Sequence, residues 1–334
     1  MRFAIAAAAT AVLFVTAAQA GEWRVERIDT PARVAAIETV DGKPAVNAGG
    51  LWYSIQYAGP GAKVAFIDRP PRQKLPDGAL ADGRVAKGTL DIARAWLSAP
   101  TTRYDHGVLG DAIEAGALSI ETRDGKIQTI RLKDDAVFED LEPRLADLDG
   151  DGHDEVIVVK SYLKRGAALA VIGWRKGRDG GQYEILAETP PLGGSHRWLN
   201  PAGIADFNGD GKLDIALVRQ PHVIGELELW SFADGKLRKS ASMPGFANHI
   251  IGARALAMSI TADFDGDGTA DLALPSLDRT KLRIVSFAPS AREIASIALP
   301  AKAVSNLALV ANEKGQPAIA AGLADGTLVL IRGD

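Results

Sequence analysis

The sequence predicts an all-β chain, folded as a single β-propeller of four-stranded blades. Three observations predict it. The 334 residues contain 35 Gly and 17 Pro, with Asp-Gly and Gly-Gly pairs throughout, and no long stretch has the 3.6-residue apolar period of a surface helix. An acidic nonapeptide occurs three times, as Asp147-Leu-Asp149-Gly-Asp151-Gly-His153-Asp-Glu155, Asp206-Phe-Asn208-Gly-Asp210-Gly-Lys212-Leu-Asp214 and Asp263-Phe-Asp265-Gly-Asp267-Gly-Thr269-Ala-Asp271. Its first residues lie 59 and then 57 positions apart, a period that fits one four-stranded blade. A chain this long usually divides into two domains, but repeat architectures escape that rule.

The chain opens with Met1-Arg2, an apolar stretch to about Ala18, and Ala18-Gln19-Ala20. This reads as a secretory signal peptide over residues 1–20, leaving 21–334 as the propeller. The expected location is periplasmic or secreted. No later stretch approaches the ~18 apolar residues a membrane span needs, and there is no Cys to form a disulfide. Trp23 to Ile28 reads as a strand that completes the last blade and closes the ring. Degenerate repeats fill 30–135 and 304–334, with Asp41-Gly42 and Lys314-Gly315 as decayed turns. Leu109 to Ile120 aligns without a gap on Ile204 to Ile215, which places another decayed first turn at Asp111 and a long loop between Pro70 and Pro100. Six blades result, or seven if Ile92 to Leu97 opens one of its own. The clear repeats occupy 140–300, each acidic loop preceding a short apolar strand, and Asp234-Gly235 reads as a hairpin turn.

The spacing in the three loops carries chemistry. Oxygen side chains at positions 1, 3 and 5 converge when the backbone curls, Gly at position 6 permits the turn, position 7 offers its carbonyl, and an acid at position 9 closes the shell. The predicted metal ligands are therefore Asp147, Asp149, Asp151, His153 and Glu155; Asp206, Asn208, Asp210, Lys212 and Asp214; and Asp263, Asp265, Asp267, Thr269 and Asp271. Hard oxygen donors in a flexible loop suit Ca²⁺, about three ions in all. Position 12, where an EF-hand has Glu, is Val158, Leu217 and Leu274, so these loops open strands rather than helices.

The run Ala205 to Ala216, Ala-Asp-Phe-Asn-Gly-Asp-Gly-Lys-Leu-Asp-Ile-Ala, resembles the FG-GAP/VCBS repeat of integrin-alpha-like β-propellers. The resemblance implies Ca²⁺ loops between the first and second strands of successive blades. It implies no single activity, since such propellers serve adhesion, carbohydrate binding and some lyase-type enzymes.

The net charge is −4. The loops hold four, three and four carboxylates at ligand positions, so three divalent cations would bring the total near zero. Nothing is basic enough for nucleic acid. A ligand face is expected where segments enter the blades: Arg103, His106, Glu142, Arg144, His196, Arg197, Trp198, Asn200, Asn248 and His249, with His222 reaching the same face from a loop. Such Arg, His, Asn and aromatic groups could bind an anionic or sugar-like ligand, or tie blade ends together. The favoured function is an exported, calcium-binding propeller acting as a binding or scaffolding module for a protein or carbohydrate ligand. The alternative is a carbohydrate-active lyase or hydrolase, with His196 beside Arg197, or His249 beside Glu142, as its acid–base groups.

Overall fold

The computed structural model describes residues 22–58, 61–177, 180–311 and 315–333. The predicted signal peptide lies outside them. Every regular element among the described residues is a β-strand. The chain begins with β1 (Trp23–Ile28), then a meander of β2 (Val34–Val40), β3 (Lys43–Ala48), β4 (Leu51–Ala58) and β5 (Gly61–Ile67). It continues through β6 (Ala86–Lys87), β7 (Ile92–Thr101), β8 (Glu114–Thr122), β9 (Ile127–Arg131), β10 (Ala136–Phe138), β11 (Arg144–Ala146), β12 (Glu155–Tyr162), β13 (Gly166–Gly177) and β14 (Gly180–Glu188). Two further meanders follow: β15 (Leu199–Ala205), β16 (Asp214–Arg219), β17 (Glu226–Ala233) and β18 (Lys236–Met243), then β19 (Ile260–Ala262), β20 (Asp271–Pro275), β21 (Lys281–Ser286) and β22 (Arg292–Ala298). The last strands are β23 (Ala303–Ala311), β24 (Pro317–Leu323) and β25 (Leu328–Gly333).

Four sheets are four-stranded: β2 to β5, β15 to β18, β19 to β22, and β23-β24-β25-β1. In the last, β1 runs antiparallel to β25 from Trp23↔Gly333 to Ile28↔Leu328, so the two ends of the described chain share one sheet. Strands β6 to β14 form a nine-stranded sheet. Within it, β12 pairs with β11 along its first half and with β10 along its second, so two short strands occupy the place of one. Through Phe138↔Ala115, β10 also touches β8 and joins the two halves of this sheet. The architecture is all-β and propeller-like.

The turn between the first two strands of the β6 to β9 unit lies at 88–91, not at Asp111. Asp111 sits between β7 and β8, and β7 pairs with β8 from Ile92↔Thr122 to Thr101↔Glu114. The ungapped alignment was misled by Gly116, which is no turn residue. It lies inside β8, where a Cβ would meet the Ala99 carbonyl at 3.1 Å and the Arg103 guanidinium at 3.6 Å; the glycine is there for close approach. The long loop expected from Pro70 to Pro100 likewise shrinks, because it contains β6 and most of β7.

Burial grades across each sheet. Strand β12, EVIVVKS, is buried from Glu155 to Ser161, whereas β18, KLRKSASM, alternates and is mostly exposed. Polar residues thus occupy the outer edge, where unpaired backbone would otherwise recruit another strand. Neighbouring sheets share apolar clusters. Val156, Leu169 and Ile172 pack with Leu199, Ile215 and Trp230; Phe207 and Leu227 with Leu272 and Val285; Ile284 with Leu307 and Ile319; and Ala320 and Leu330 with Ile37 and Val46. Among the described residues no such cluster joins the β2 to β5 sheet to the nine-stranded one, and Leu51 and Phe66 on that sheet are 53% and 63% exposed.

Candidate functional site

Two sites lie at opposite ends of the strands. The first consists of the acidic loops joining β11 to β12, β15 to β16 and β19 to β20. All three adopt one backbone form. Two glycines in each are left-handed, with φ of 77° and 88° at Gly150 and Gly152, 77° and 84° at Gly209 and Gly211, and 77° and 88° at Gly266 and Gly268. Position 4 therefore needs glycine as much as position 6 does. The first Asp accepts from the backbone in every loop: Gly150 N and Gly152 N donate to Asp147 at 2.8 and 3.1 Å, Gly209 N and Gly211 N to Asp206 at 2.8 Å each, and Gly266 N and Gly268 N to Asp263 at 2.7 and 2.9 Å. Position 2 anchors the loop through an apolar side chain; Leu148 and Phe207 are fully buried.

Ligand atoms of Asp147, Asp149 and Glu155 lie within 4.8 Å of one another, as do those of Asp263, Asp265 and Asp271. These groups could hold a metal ion. The position-9 acids Glu155, Asp214 and Asp271 are buried, and Asp214 Oδ2 and Asp271 Oδ1 have no hydrogen-bond partner. A buried, unpartnered carboxylate oxygen beside other carboxylates fits a cation. Burial, aided by the neighbouring acids, pushes Glu155 up to about 8 and Asp271 up to about 6. At position 5, Asp151, Asp210 and Asp267 each accept from the backbone N–H of position 7 (His153, Lys212, Thr269) at 2.9, 2.9 and 2.8 Å.

The loop at 147–155 has a neighbour the sequence reading missed. Asp91, in the turn between β6 and β7, accepts from Asp154 N at 2.8 Å and from Tyr183 Oη at 2.5 Å, and pairs with His153 Nδ1 at 2.9 Å. In return, Leu90 N donates to Asp154 at 2.9 Å. Burial raises the Asp91 carboxyl, but the hydrogen bonds from Tyr183, Asp154 and His153 outweigh it and hold it below the usual range.

The second site is a cleft of about 250 Å³ lined by His106, Val108, His196, Arg197, Trp198, Gln220, His222, Val223 and Ile251. Its residues come from the 102–113 connection between β7 and β8, the segment before β15, the turn after β16 and the segment before β19. Four of the five histidines gather here. His106 and His196 have ring centroids 5.1 Å apart, as do His222 and His249. His106 Nδ1 is 2.6 Å from Glu139 Oε1, and Ser161 Oγ donates to the other oxygen of that fully buried carboxylate. His196 Nε2 lies 3.1 Å from Asp105 Oδ1, and its ring stacks on Tyr104 at 5.2 Å. Trp198 Nε1 donates to the Glu139 carbonyl at 3.0 Å. Burial lowers His222 to about 3 and His249 to about 4, so both are neutral at pH 7.

The structure thus brings His106, His196, Arg197, Trp198 and His222 together at the cleft and gives the other expected ligand residues to structural ties. Arg103 donates to the Ala136 carbonyl at 3.0 and 2.6 Å. Arg144 pairs with buried Asp140 at 2.6 Å, and Glu142 with Arg84 at 3.9 Å. Asn200 and Asn248 are buried and each donates to the other's backbone carbonyl at 3.1 Å. His249 meets His222 and the Ala253 carbonyl rather than Glu142. Arg103, Tyr104 and His106 lie in a second-to-third strand connection, not before a first strand, yet reach the same face. Gln220 and Glu139 were not singled out by sequence; a φ of 46° at Gln220 marks the tight turn that seats it.

Residues 147–217 and 206–274 match the family model of the FG-GAP-like repeat. No curated protein matches the chain. Among solved structures, rhamnogalacturonan lyase YesW is similar at 14% identity and a TM-score of 0.45, covering 92% of this chain and 68% of that one. The exotype rhamnogalacturonan lyase YesX is similar at 15% identity and 0.37, over 84% and 60%, and the N-terminal domain of Nup159 at 12% and 0.39, over 90% and 76%. Scores this low carry no argument about function.

Proposed function

We propose that this FG-GAP-like repeat chain is an exported, calcium-stabilised propeller that binds a protein or carbohydrate ligand in the histidine-lined cleft. In this reading the nine-stranded sheet counts as two blades, giving six, and the β1–β25 pairing closes the ring. Ca²⁺ sits in the three acidic loops, held by positions 1, 3, 5 and 9 with the position-7 carbonyl, and neutralises carboxylates that burial and mutual repulsion disfavour. The observation that carries the reading is the division of labour between the strand ends. One end concentrates convergent carboxylates, two of them with unpartnered buried oxygens; the other holds a cleft whose polar side chains are fixed by buried partners.

One observation favours the enzyme alternative. Buried Glu139 orients His106 at the cleft, the arrangement of an acid–base imidazole. A panel of oligosaccharides and peptides, each measured for binding and for turnover, tests both. The binding reading expects a bound ligand, released intact, that is lost in His106→Gln with melting unchanged. Turnover abolished by the same substitution would establish the enzyme instead.

A further inference from the structure

The hydrogen-bond directions in the cleft restrict what it can take. The Ala253 carbonyl only accepts, so His249 Nε2, 2.8 Å away, donates to it. His249 Nδ1 is then an acceptor, and His222 Nε2, 2.9 Å from it, must donate. His222 is left with Nδ1 as a lone-pair acceptor, a tautomer fixed by a chain that ends on the backbone. The neutrality of both rings agrees with this. His222 lines the cleft beside Gln220, whose buried Oε1 has no partner, so the cleft offers acceptors that call for hydroxyl or N–H donors.

The cleft also offers positive charge. Arg197 is exposed and lines the cleft, and among the described residues its side chain donates to the Leu192 carbonyl at 3.1 Å. Arg279 lies close enough to act electrostatically on His222, and its Nη1 is buried with no partner. The carboxylates nearby are engaged: Glu139 with His106 and Ser161, Asp105 with His196. The remaining wall is aliphatic, with Val223 72% and Ile251 67% exposed beside buried Val108. Trp198 is buried and stacks on His222 at 6.3 Å and 5°, which leaves no open aromatic platform.

We infer that the cleft binds an acidic sugar: a ring bearing a carboxylate for Arg197, a hydroxyl that donates to His222 Nδ1, and an apolar C–H face against Val223 and Ile251. A neutral sugar leaves the guanidinium without its anion, and a carboxylate without hydroxyls leaves the imidazole acceptor unmatched. A cleft of about 250 Å³ equals roughly eight waters at ≈30 Å³ each, room for one such ring. This rests on the cleft being the ligand site.

The test is calorimetric titration of the calcium-loaded protein with three probes of similar shape: D-glucuronate, D-glucose and cyclohexanecarboxylate. The expected order places glucuronate about tenfold or more above both others, with Arg197→Ala reducing glucuronate affinity about tenfold at an unchanged melting temperature. Glucose or cyclohexanecarboxylate binding as tightly as glucuronate, or glucuronate binding indifferent to Arg197→Ala, would overturn the assignment. If another probe or a panel ligand binds and His106→Gln abolishes it, the ligand class falls and the cleft stands; if nothing binds in a way that His106→Gln alters, both fall.

Discussion

At the scale of single residues, Asp91 shows how one turn braces the acidic loop of another strand pair. Its carboxylate holds His153 and the backbone of Asp154, just before the position-9 acid Glu155, and Tyr183 holds the carboxylate in turn. Partners of this kind orient the ligating residues without binding the metal, and their loss costs about 10- to 100-fold in metal affinity. Asp91→Ala should therefore weaken one calcium site of three by about tenfold and leave the others alone, measured by titration. Uniform weakening would mean that Asp91 only supports the fold. The raised position-9 acids make a second prediction. Glu155 titrates near 8 and Asp271 near 6 in the folded chain, above their unfolded values of ≈4.3 and ≈3.9. A folded pKa above the unfolded one favours the protonated native state, so this stability is fully present below about pH 4 and is lost as pH rises through 6 and then 8. Melting of chelator-treated protein should fall over that window, and Ca²⁺ should flatten the profile. The convergence of the acids at positions 1, 3 and 9 in the loops at 147–155 and 263–271 was legible because the spacing dictates it. Asp91 was not, because its partners lie more than sixty residues away and its own turn, Gly88-Thr-Leu-Asp91, carries no pattern.

At the scale of elements, close approach explains both a success and an error of sequence reading. The Asp234-Gly235 hairpin is a two-residue turn with both φ values positive, 54° and 67°, and Ala233↔Lys236 closes it, as the dipeptide predicts. Gly116 has the same residue type for a different reason and shifted one predicted blade boundary. Turn chemistry is local and can be read; packing of a second strand against a distant arginine cannot. Gly203 belongs with Gly116. Its Cβ would stand 2.5 Å from Thr261 Oγ1 and 3.2 Å from Leu272 Cδ1, at the contact between β15 and the sheet beginning with β19. Gly203→Val should destabilise the protein by about 1–3 kcal/mol through overpacking, read as a lower urea midpoint at an unchanged slope. A neutral result would show that these two sheets can separate without cost.

At the scale of the whole molecule, the β1–β25 pairing unites Trp23 to Ile28 with the chain's last strand, and apolar clusters link the sheets in sequence. The all-β architecture and the repeat period were legible from glycine content and loop spacing. The seam beside the β2 to β5 sheet was not, because its exposed Leu51 and Phe66 look like any other strand residues in sequence. The face that assembles the cleft was legible, since His106, His196, Arg197, Trp198 and His222 were all expected on it; the connection that carries His106, between β7 and β8 rather than before a first strand, was not. In the proposed reading, calcium in three adjacent loops holds these sheets in place. Calorimetric titration of Ca²⁺ into chelator-stripped protein, with thermal melts before and after, tests it most directly. About three sites of ~10⁻⁴ to 10⁻³ M and a large rise in melting temperature are the predicted result. Absence of binding, or binding that leaves the melt where it was, would contradict it.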